Sequence, residues 1–452
     1  MSNAVQIDIL RQVRERDIRL VRFLYCDVSS VIRAKATHAR ELEERLHSGI
    51  SLTTAAMALS MLDQIAGVEG LSRIGEVRLQ PDPTTFVTVP YAARTASMCS
   101  DMVTVDGEPW PFCPRTFLRR MVRQLGEKGL RLRASFEGAF TLLPGADENQ
   151  VPVGDTVYLS TAAMNTAAPL INDLLDAFEA QHLHVQQYCA GAAQRQHELT
   201  IRHAEAIAAA DNQVTFRETV RGVAGRHGLR ASFAPHPRAD QPGNRCHLHF
   251  SLIDGEGHST PFYTPHGLQH VATRGRQFIA GVLDHLPALT ALTCASTNSY
   301  RRLRPEDSSS LYVCWGPDNR EAAIRVASPY AGEEAGTCHA ELRVCDHSAN
   351  PYLALGGLIA AGLDGLGREL ALSQPLLQDP VSLTDAERTE RGINRLPRSL
   401  IEALDALTAD AVLCEALGPG LSSAIQSVKR CEARAFADHD AAYEMGVHTA
   451  RL

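Results

Sequence analysis

The sequence predicts an α+β fold in two domains, and three observations carry that expectation. The chain has 452 residues, beyond the size at which a single hydrophobic core usually stops growing. Segments of period-two alternation, of which Cys246-His-Leu-His-Phe-Ser-Leu252 is the clearest, are interspersed with segments of helical period. No internal repeat or low-complexity tract interrupts them.

In chain order, Ala4 to Arg16 has the spacing of an amphipathic helix, and Leu20 to Cys26 is rich in strand formers before a polar turn at Asp27 to Ser30. The turn-rich stretch Pro81 to Thr85 leads into a predicted strand, Phe86 to Val89. Turn signals cluster again at Asp106 to Pro111, and Pro114, suited to a first helical turn, opens a helix expected over Arg115 to Lys128. The domain boundary is therefore expected between residues 109 and 110, giving domains 1–109 and 110–452. In the second domain, Arg131 to Leu143 reads as a strand and Leu170 to His182 as a helix, while Glu198 to His227 is long and helix-prone. Pro351 to Leu370, and Leu383 to the end, are helical in pattern, with Leu396 to Leu400 marking a helix start.

Composition narrows the function classes. A hydrophobic fraction of 44% with 21% charged residues describes an ordinary globular protein. The formal charge of -8 gives no reason to expect nucleic-acid binding. No apolar stretch reaches the roughly 18 residues of a membrane span, and Met1 to Leu10 lacks a basic region leading into a hydrophobic one. The expectation is a cytoplasmic protein with no membrane contact and no signal peptide. Eleven cysteines without a C-x-x-C pair point to free thiols in a reducing compartment.

Several polar residues stand out against their surroundings. His247 and His249 lie two apart on a strand and so share one face, where paired imidazoles suit a metal or a phosphate, or serve structure alone. Glu137 sits in the apolar run Ala134 to Phe140, where a buried carboxylate needs a metal or an arginine, unless it faces solvent. Glu341 and Arg343 share a face as a ligand pair or a plain salt bridge. Arg301, Arg302, Arg304, Arg320, Arg325 and Arg343 are dense enough to bind carboxylate or phosphate oxygens, or to form a solvated basic face. Walker A, G-x-G-x-x-G and G-x-S-x-G motifs are absent.

These pieces fall in a recognisable order. Asn298 to Pro305, Trp315 through Asn319-Arg320, Ile324-Arg-Val326, Glu341-Leu-Arg343, Asp346-His-Ser-Ala-Asn-Pro-Tyr-Leu353 and Ala361 to Gly365 closely resemble the C-terminal signature of glutamine synthetases. Cys246 to Leu252 resembles that family's metal and ATP strand, and Ile201 to Asn212 the helix after its second acidic motif. Phe23 to Lys35, Pro81 to Pro90 and Asp106 to Pro109 look like its N-terminal β-grasp domain, and Leu396 to Leu404 is similar to the γ-glutamylpolyamine synthetase branch. The resemblance implies a β-grasp domain followed by a large catalytic domain whose antiparallel sheet is flanked by helices. It also implies a homo-oligomer of stacked rings.

The family's reaction uses ATP and two divalent ions. The resemblance gives one metal site to Glu137, His247 and Glu341, and leaves only Glu198 of the three glutamates at the other. The second carboxylate of the Glu-x-Glu motif reads Ala139, and the next expected glutamate falls at Ala190 or Gly191. His249, Ser251, Arg320 and Arg325 match cofactor-binding positions, Arg302 and Arg343 the substrate arginines, while His339 stands in place of a phosphate-site arginine. The flap glutamate falls near Ser308, with Glu306 and Asp307 beside it, and Arg245 narrows the glutamate pocket. Cys189, His182, His184 and His197 are candidate replacement ligands, each with packing as the plainer role.

A site stripped of two carboxylates holds Mg²⁺ or Mn²⁺ far more weakly, and phosphoryl transfer depends on charge neutralisation and positioning. Glutamine synthesis is therefore not expected. Three readings stay open: an ATP-dependent ligase joining a carboxylate, of γ-glutamyl type, to an amine other than ammonia with Mg²⁺ or Mn²⁺; a repurposed Fe, Mn or Zn enzyme working without ATP as a hydrolase or oxidase on a small nitrogen compound; and a non-catalytic binding relative.

Overall fold

The computed structural model describes residues 3–145, 157–255, 261–266, 268–304 and 310–452. The flap residues Glu306, Asp307 and Ser308 lie outside the described residues. The strand formers at the start of the chain build β1 (Leu20–Cys26), β2 (Ile32–His38), β3 (Ile50–Thr53), β4 (Glu76–Pro81), β5 (Val87–Thr88) and β6 (Thr95–Val103). They form one sheet of order β2-β1-β6-β4-β3, with β5 on β6, and β1 runs parallel to β6. A second sheet takes β7 (Leu130–Pro144), β8 (Val185–Ala190), β9 (Gln196–Ile201), β10 (Ala204–Glu205), β11 (Leu229–Ser232), β12 (Cys246–Asp254), β13 (Trp315–Pro317), β14 (Ile324–Ala327) and β15 (His339–Leu342). Its order is β13-β14-β15-β12-β7-β9-β8, antiparallel except for β13 with β14, and both β10 and β11 pair with β7.

Alternation decides which face of the second sheet is wet. Leu132, Ala134 and Phe136 of β7 and Leu248, Phe250 and Leu252 of β12 share one buried cluster with Ala206, Ala210 and Val214 of the helix Ala206–Arg226. Their odd-numbered neighbours, including Glu137, His247 and His249, therefore face the opposite side. The helix Pro351–Gly367 packs on the helix Thr273–Asp284 where a methyl on Gly281 would lie 2.2 Å from Ala361 O, so only glycine permits the approach.

Polar contacts tie the two sheets' regions together. Arg115, on the helix Pro114–Glu127, bonds Asp82 and Asp101 of the first region and Asp211 of the second. Asn350 Nδ2 donates to the carbonyls of Cys26 and Asp27 at 3.1 and 2.9 Å. Glu432 accepts from Ser29 Oγ at 2.6 Å and from Met61 N at 2.7 Å, with Lys429 buried beside it. All eleven cysteines are free thiols, and no helix among the described residues is long and apolar enough to cross a membrane.

Three local expectations change. The segment expected as one helix from Glu198 opens instead as β9, since His197 to Ile201 alternates in burial with period two and Gln196 to Thr200 pairs with β7; the helix begins at Ala206. The helix expected at Leu170 starts at Thr161, because Ser160 Oγ caps it by accepting from Ala163 N, and its first turns carry no apolar stripe to read. The strand expected over Phe86 to Val89 shrinks to β5, because Phe86 closes a 3-10 turn over Pro83–Thr85.

Candidate active site

Three neighbouring strands bring the ionisable residues into one cluster. Register sets His247 opposite Glu137 and His249 opposite Glu341, with Arg325 on the far side of Glu341. His247 Nδ1 lies 3.2 Å from Glu137 Oε2 and 2.8 Å from Glu341 Oε1. His249 Nε2 lies 3.2 Å from the same Glu137 Oε2. Glu341, only 1% exposed, accepts from Arg343 Nη1 at 2.5 Å and Arg325 Nη1 at 3.1 Å. Thr200 Oγ1, from β9, donates to Glu137 Oε1 at 3.1 Å.

The two carboxylates are charged despite their burial. Desolvation pushes Glu137 up, yet its hydrogen bonds and charge contacts with His247 and His249 outweigh that and hold it well below the usual carboxylate range. For Glu341, desolvation is likewise overcome by the His247 charge and hydrogen bond and by Arg343. Burial lowers His249, but the Glu137 hydrogen bond and the charges of Glu341 and Glu137 leave it raised.

Ligand atoms of Glu137, His249 and Glu341 all lie within 4.8 Å of one another, and His247 Nδ1 sits between the two carboxylates. Two ionised carboxylates converging with imidazole nitrogens fit one divalent ion. Thr200 donates to Glu137, and Arg325 and Arg343 donate to Glu341, as outer partners of metal ligands do.

The other predicted site residues are more dispersed. Ser251 is half-buried two residues beyond His249 on the same strand face, opposite Arg133. Arg302 is 3% exposed, with Nη2 3.4 Å from Asp346 Oδ2 and 3.3 Å from Cys345 O rather than on the carboxylate cluster. Arg320 is exposed, and Arg301 is bound to Glu444. Glu198 stands one strand beyond β7, in register with Ala139 on one side and Cys189 on the other; Cys189 Sγ is 3.9 Å from Glu198 Oε1. Burial, then repulsion from Glu137, raises Glu198.

Sequence reasoning missed two features. Thr200 was hidden inside a segment read as helix. His203 meets His249 and His339, with ring centroids 5.9 Å and 5.3 Å away, and His339 lies 5.1 Å from His249. Burial pushes His203 down to about 3 and His339 down to about 4. His339 Nδ1 donates to Thr337 O at 2.7 Å, which leaves the lone pair on Nε2. No local pattern around His203 announces this contact.

Comparison with known proteins agrees with this geometry. The glutamine synthetase catalytic domain family matches residues 111–448, and the glutamine synthetase N-terminal domain family matches residues 4–110. The γ-glutamylpolyamine synthetase GlnA3 of Streptomyces coelicolor is 36% identical over 90% of this chain and 88% of its own length. A glutamine synthetase of Mycobacterium bovis is 33% identical over 97% of each chain. Among solved structures, a glutamine synthase homologue superposes with a TM-score of 0.87 at 33% identity, covering 96% of this chain and 99% of its own. A GmaS/ADP complex gives 0.85 at 27% identity, covering 97% and 98%. With both halves matched along their length, and with the sheet and carboxylate–histidine cluster the resemblance implies, the chain belongs to the glutamine synthetase family of carbon–nitrogen ligases.

Proposed function

We propose that this protein is an ATP-dependent ligase joining a carboxylic acid, of γ-glutamyl type, to an amine other than ammonia. The observation that carries the reading is the cluster of Glu137, His247, His249 and Glu341, clamped by Arg325 and Arg343. Glu137, His247 and Glu341 would hold a divalent ion, which would supply charge neutralisation for the ATP phosphates. His249, Ser251, Arg320 and Arg325 are assigned to the nucleotide, and Arg302 and Arg343 to the acid. A substrate carboxylate oxygen bonds to the γ-phosphorus as its bond to the β–γ bridging oxygen breaks, and ADP leaves with the electron pair. The amine nitrogen then bonds to the acyl carbon, phosphate departs, and the nitrogen gives up a proton to solvent.

Two features favour an amine larger than ammonia. Ala139, in register with Glu198, stands where the family resemblance expects a carboxylate, and a relative 36% identical is named a γ-glutamylpolyamine synthetase. Polyamines are therefore the first substrates to try. The protein is further assigned to the cytoplasm, to stacked homo-oligomeric rings, and to a domain boundary between residues 109 and 110.

A second reading, a transition-metal enzyme without ATP, is favoured by one observation: the neutral imidazoles of His203 and His339 beside His249. Calorimetry with ATP and Mg²⁺, metal analysis, and ADP release across a panel of ammonia, monoamines and polyamines separate the two. ATP binding with amine-stimulated ADP release supports the ligase. A tightly held iron, zinc or manganese with no ATP binding overturns it.

A further inference from the structure

The row of side chains beside the carboxylate–histidine cluster holds a cation of its own. In register across the sheet stand Cys189, Glu198 and Ala139, and Ala139 N donates to Arg245 O at 2.8 Å. The row therefore ends at Arg245, two residues before His247, and period two puts its side chain on the site face. Arg245 is near enough for its charge to act on Glu198 and Glu198 to act on it, although burial, then the charges of Arg302 and Arg343, lower Arg245.

We propose that the guanidinium of Arg245 takes the place of a second metal ion, so that this chain works with one divalent ion. The donors left in the row do not fit a second one. Glu198 is the single carboxylate there. Cys189 Sγ donates to Glu198 Oε1 at 3.9 Å, and a thiol is a soft donor that does not suit a hard Mg²⁺ or Mn²⁺ ion. Ala190 is buried, and a Cβ on Gly191 would lie 2.5 Å from Gln196 Oε1, which closes that position to a glutamate.

Gln196 cannot easily yield. Its Oε1 accepts from Ala192 N and Ala193 N, and its Nε2 donates to Gly243 O and Asn244 Oδ1, both at 2.9 Å. Asn244, fully buried, is held in turn by Thr141 Oγ1 at 2.9 Å and by Ala234 O at 2.9 Å. The side chain that blocks a third carboxylate thus also fixes the backbone that presents Arg245.

Three carboxylates around a dication carry one net negative charge, whereas Glu198 with Arg245 is neutral, so the exchange removes most of the charge on both sides and leaves the row one unit more positive. A guanidinium also offers a planar fork to carboxylate or phosphoryl oxygens, a geometry an ion lacks. The role given to Arg245 in turnover rests on the ligase reading, but the ion count does not.

The test is Mn²⁺ binding to the full-length chain, counted by electron paramagnetic resonance without nucleotide. One ion per chain is expected for the wild type, and two for the double variant A139E/R245G. Two ions on the wild type overturn this inference and leave the ligase reading standing, as does a single ion on a double variant whose circular dichroism and melting match the wild type. No ion at all sinks both. Should the double variant fail to fold, turnover decides. R245Q is expected to lower amine-dependent ADP release about a hundredfold or more at unchanged Mn²⁺ stoichiometry, with R245K recovering part of it. Full activity in R245Q overturns the role.

Discussion

Replacing Arg115 by methionine tests how the two halves of the chain are held together. Its guanidinium is 2% exposed and binds Asp211 through Nε at 2.9 Å and Nη2 at 2.8 Å, Asp101 through Nη1 at 3.0 Å and Asp82 through Nη2 at 2.8 Å. R115M removes these bonds; Asp211 keeps Tyr352 OH at 2.7 Å, while Asp82 and Asp101 keep Arg119, whose Nη2 lies 2.6 Å from Asp82 Oδ2 and whose Nε lies 3.2 Å from Asp101 Oδ2. Breaking a buried pair by removing one partner costs about 3–5 kcal/mol. An unfolding entropy of about 2.1 cal/mol/K per residue gives roughly 1 kcal/mol per degree for the 452 residues. The melting temperature should therefore fall by about 4 °C if the chain unfolds as one unit, and a separate early transition of the first domain would make the loss larger. R115K, which keeps the charge and loses the fork, should fall between. The pH dependence supplies a second arm. Burial opposes ionisation of Asp82, but bonds from Thr84 and the Arg115 charge prevail and hold it at about 2. A depressed carboxylate stabilises fully above its unfolded value and loses that contribution as pH falls through the folded one. The gap between wild type and R115M in scanning calorimetry should thus be full at neutral pH and close between about pH 4 and pH 2. A gap under a degree at pH 7, or one that persists undiminished at the acid end, would refute the reasoning.

Other expectations follow from single contacts. T200V removes the hydrogen bond that orients Glu137 and should weaken Mn²⁺ binding about 10–100-fold by equilibrium dialysis, with little change in melting. His285 bridges Asp410 at 2.7 Å and Asp364 at 3.0 Å; burial lowers it, but both hydrogen bonds outweigh that and leave it raised. Its stabilisation is then complete below the ordinary histidine value and fades as pH rises through the raised one, so H285N should lie well below wild type at pH 6 and approach it at pH 9 in thermal melts. G281A forces a methyl against Ala361 O and should cost about 1–3 kcal/mol in urea unfolding.

The parts of the site that lie on long, alternating strands were readable from sequence. His247 and His249 announced themselves because two histidines in a seven-residue alternation must share a face, and β12 forms as that pattern requires. The convergence of Glu137 and Glu341 on them depends on register between strands far apart in the chain, which the family resemblance supplied and periodicity alone could not. Thr200 stayed hidden because Gln196 to Ile201 precedes an alanine-rich helix, and helix propensity over the longer window masked the short alternation. Arg245 was visible as a departure from the family pattern and Cys189 as a candidate replacement ligand, but that they stand in one row with Ala139 and Glu198 is a fact of strand pairing. The dense arginines, left open between oxygen binding and a solvated face, divide: Arg301 pairs with Glu444, Arg302 with Asp346, and Arg325 and Arg343 with Glu341, whereas Arg304 and Arg320 are exposed.

The cluster draws one donor pair from β12 and single carboxylates from β7 and β15, the strands flanking it. A slip of one residue in either pairing turns the carboxylate through to the apolar side of the sheet and sends a core side chain toward the imidazoles. An ion seated between these strands therefore does more than serve chemistry. It would discriminate against misaligned chains, because only one alignment assembles its ligands, and the affinity lost on misalignment would be added to the cost of misplacing Phe136 and Leu342. In this protein the metal would act as a proofreader of strand register, rewarding the correctly threaded sheet and no other.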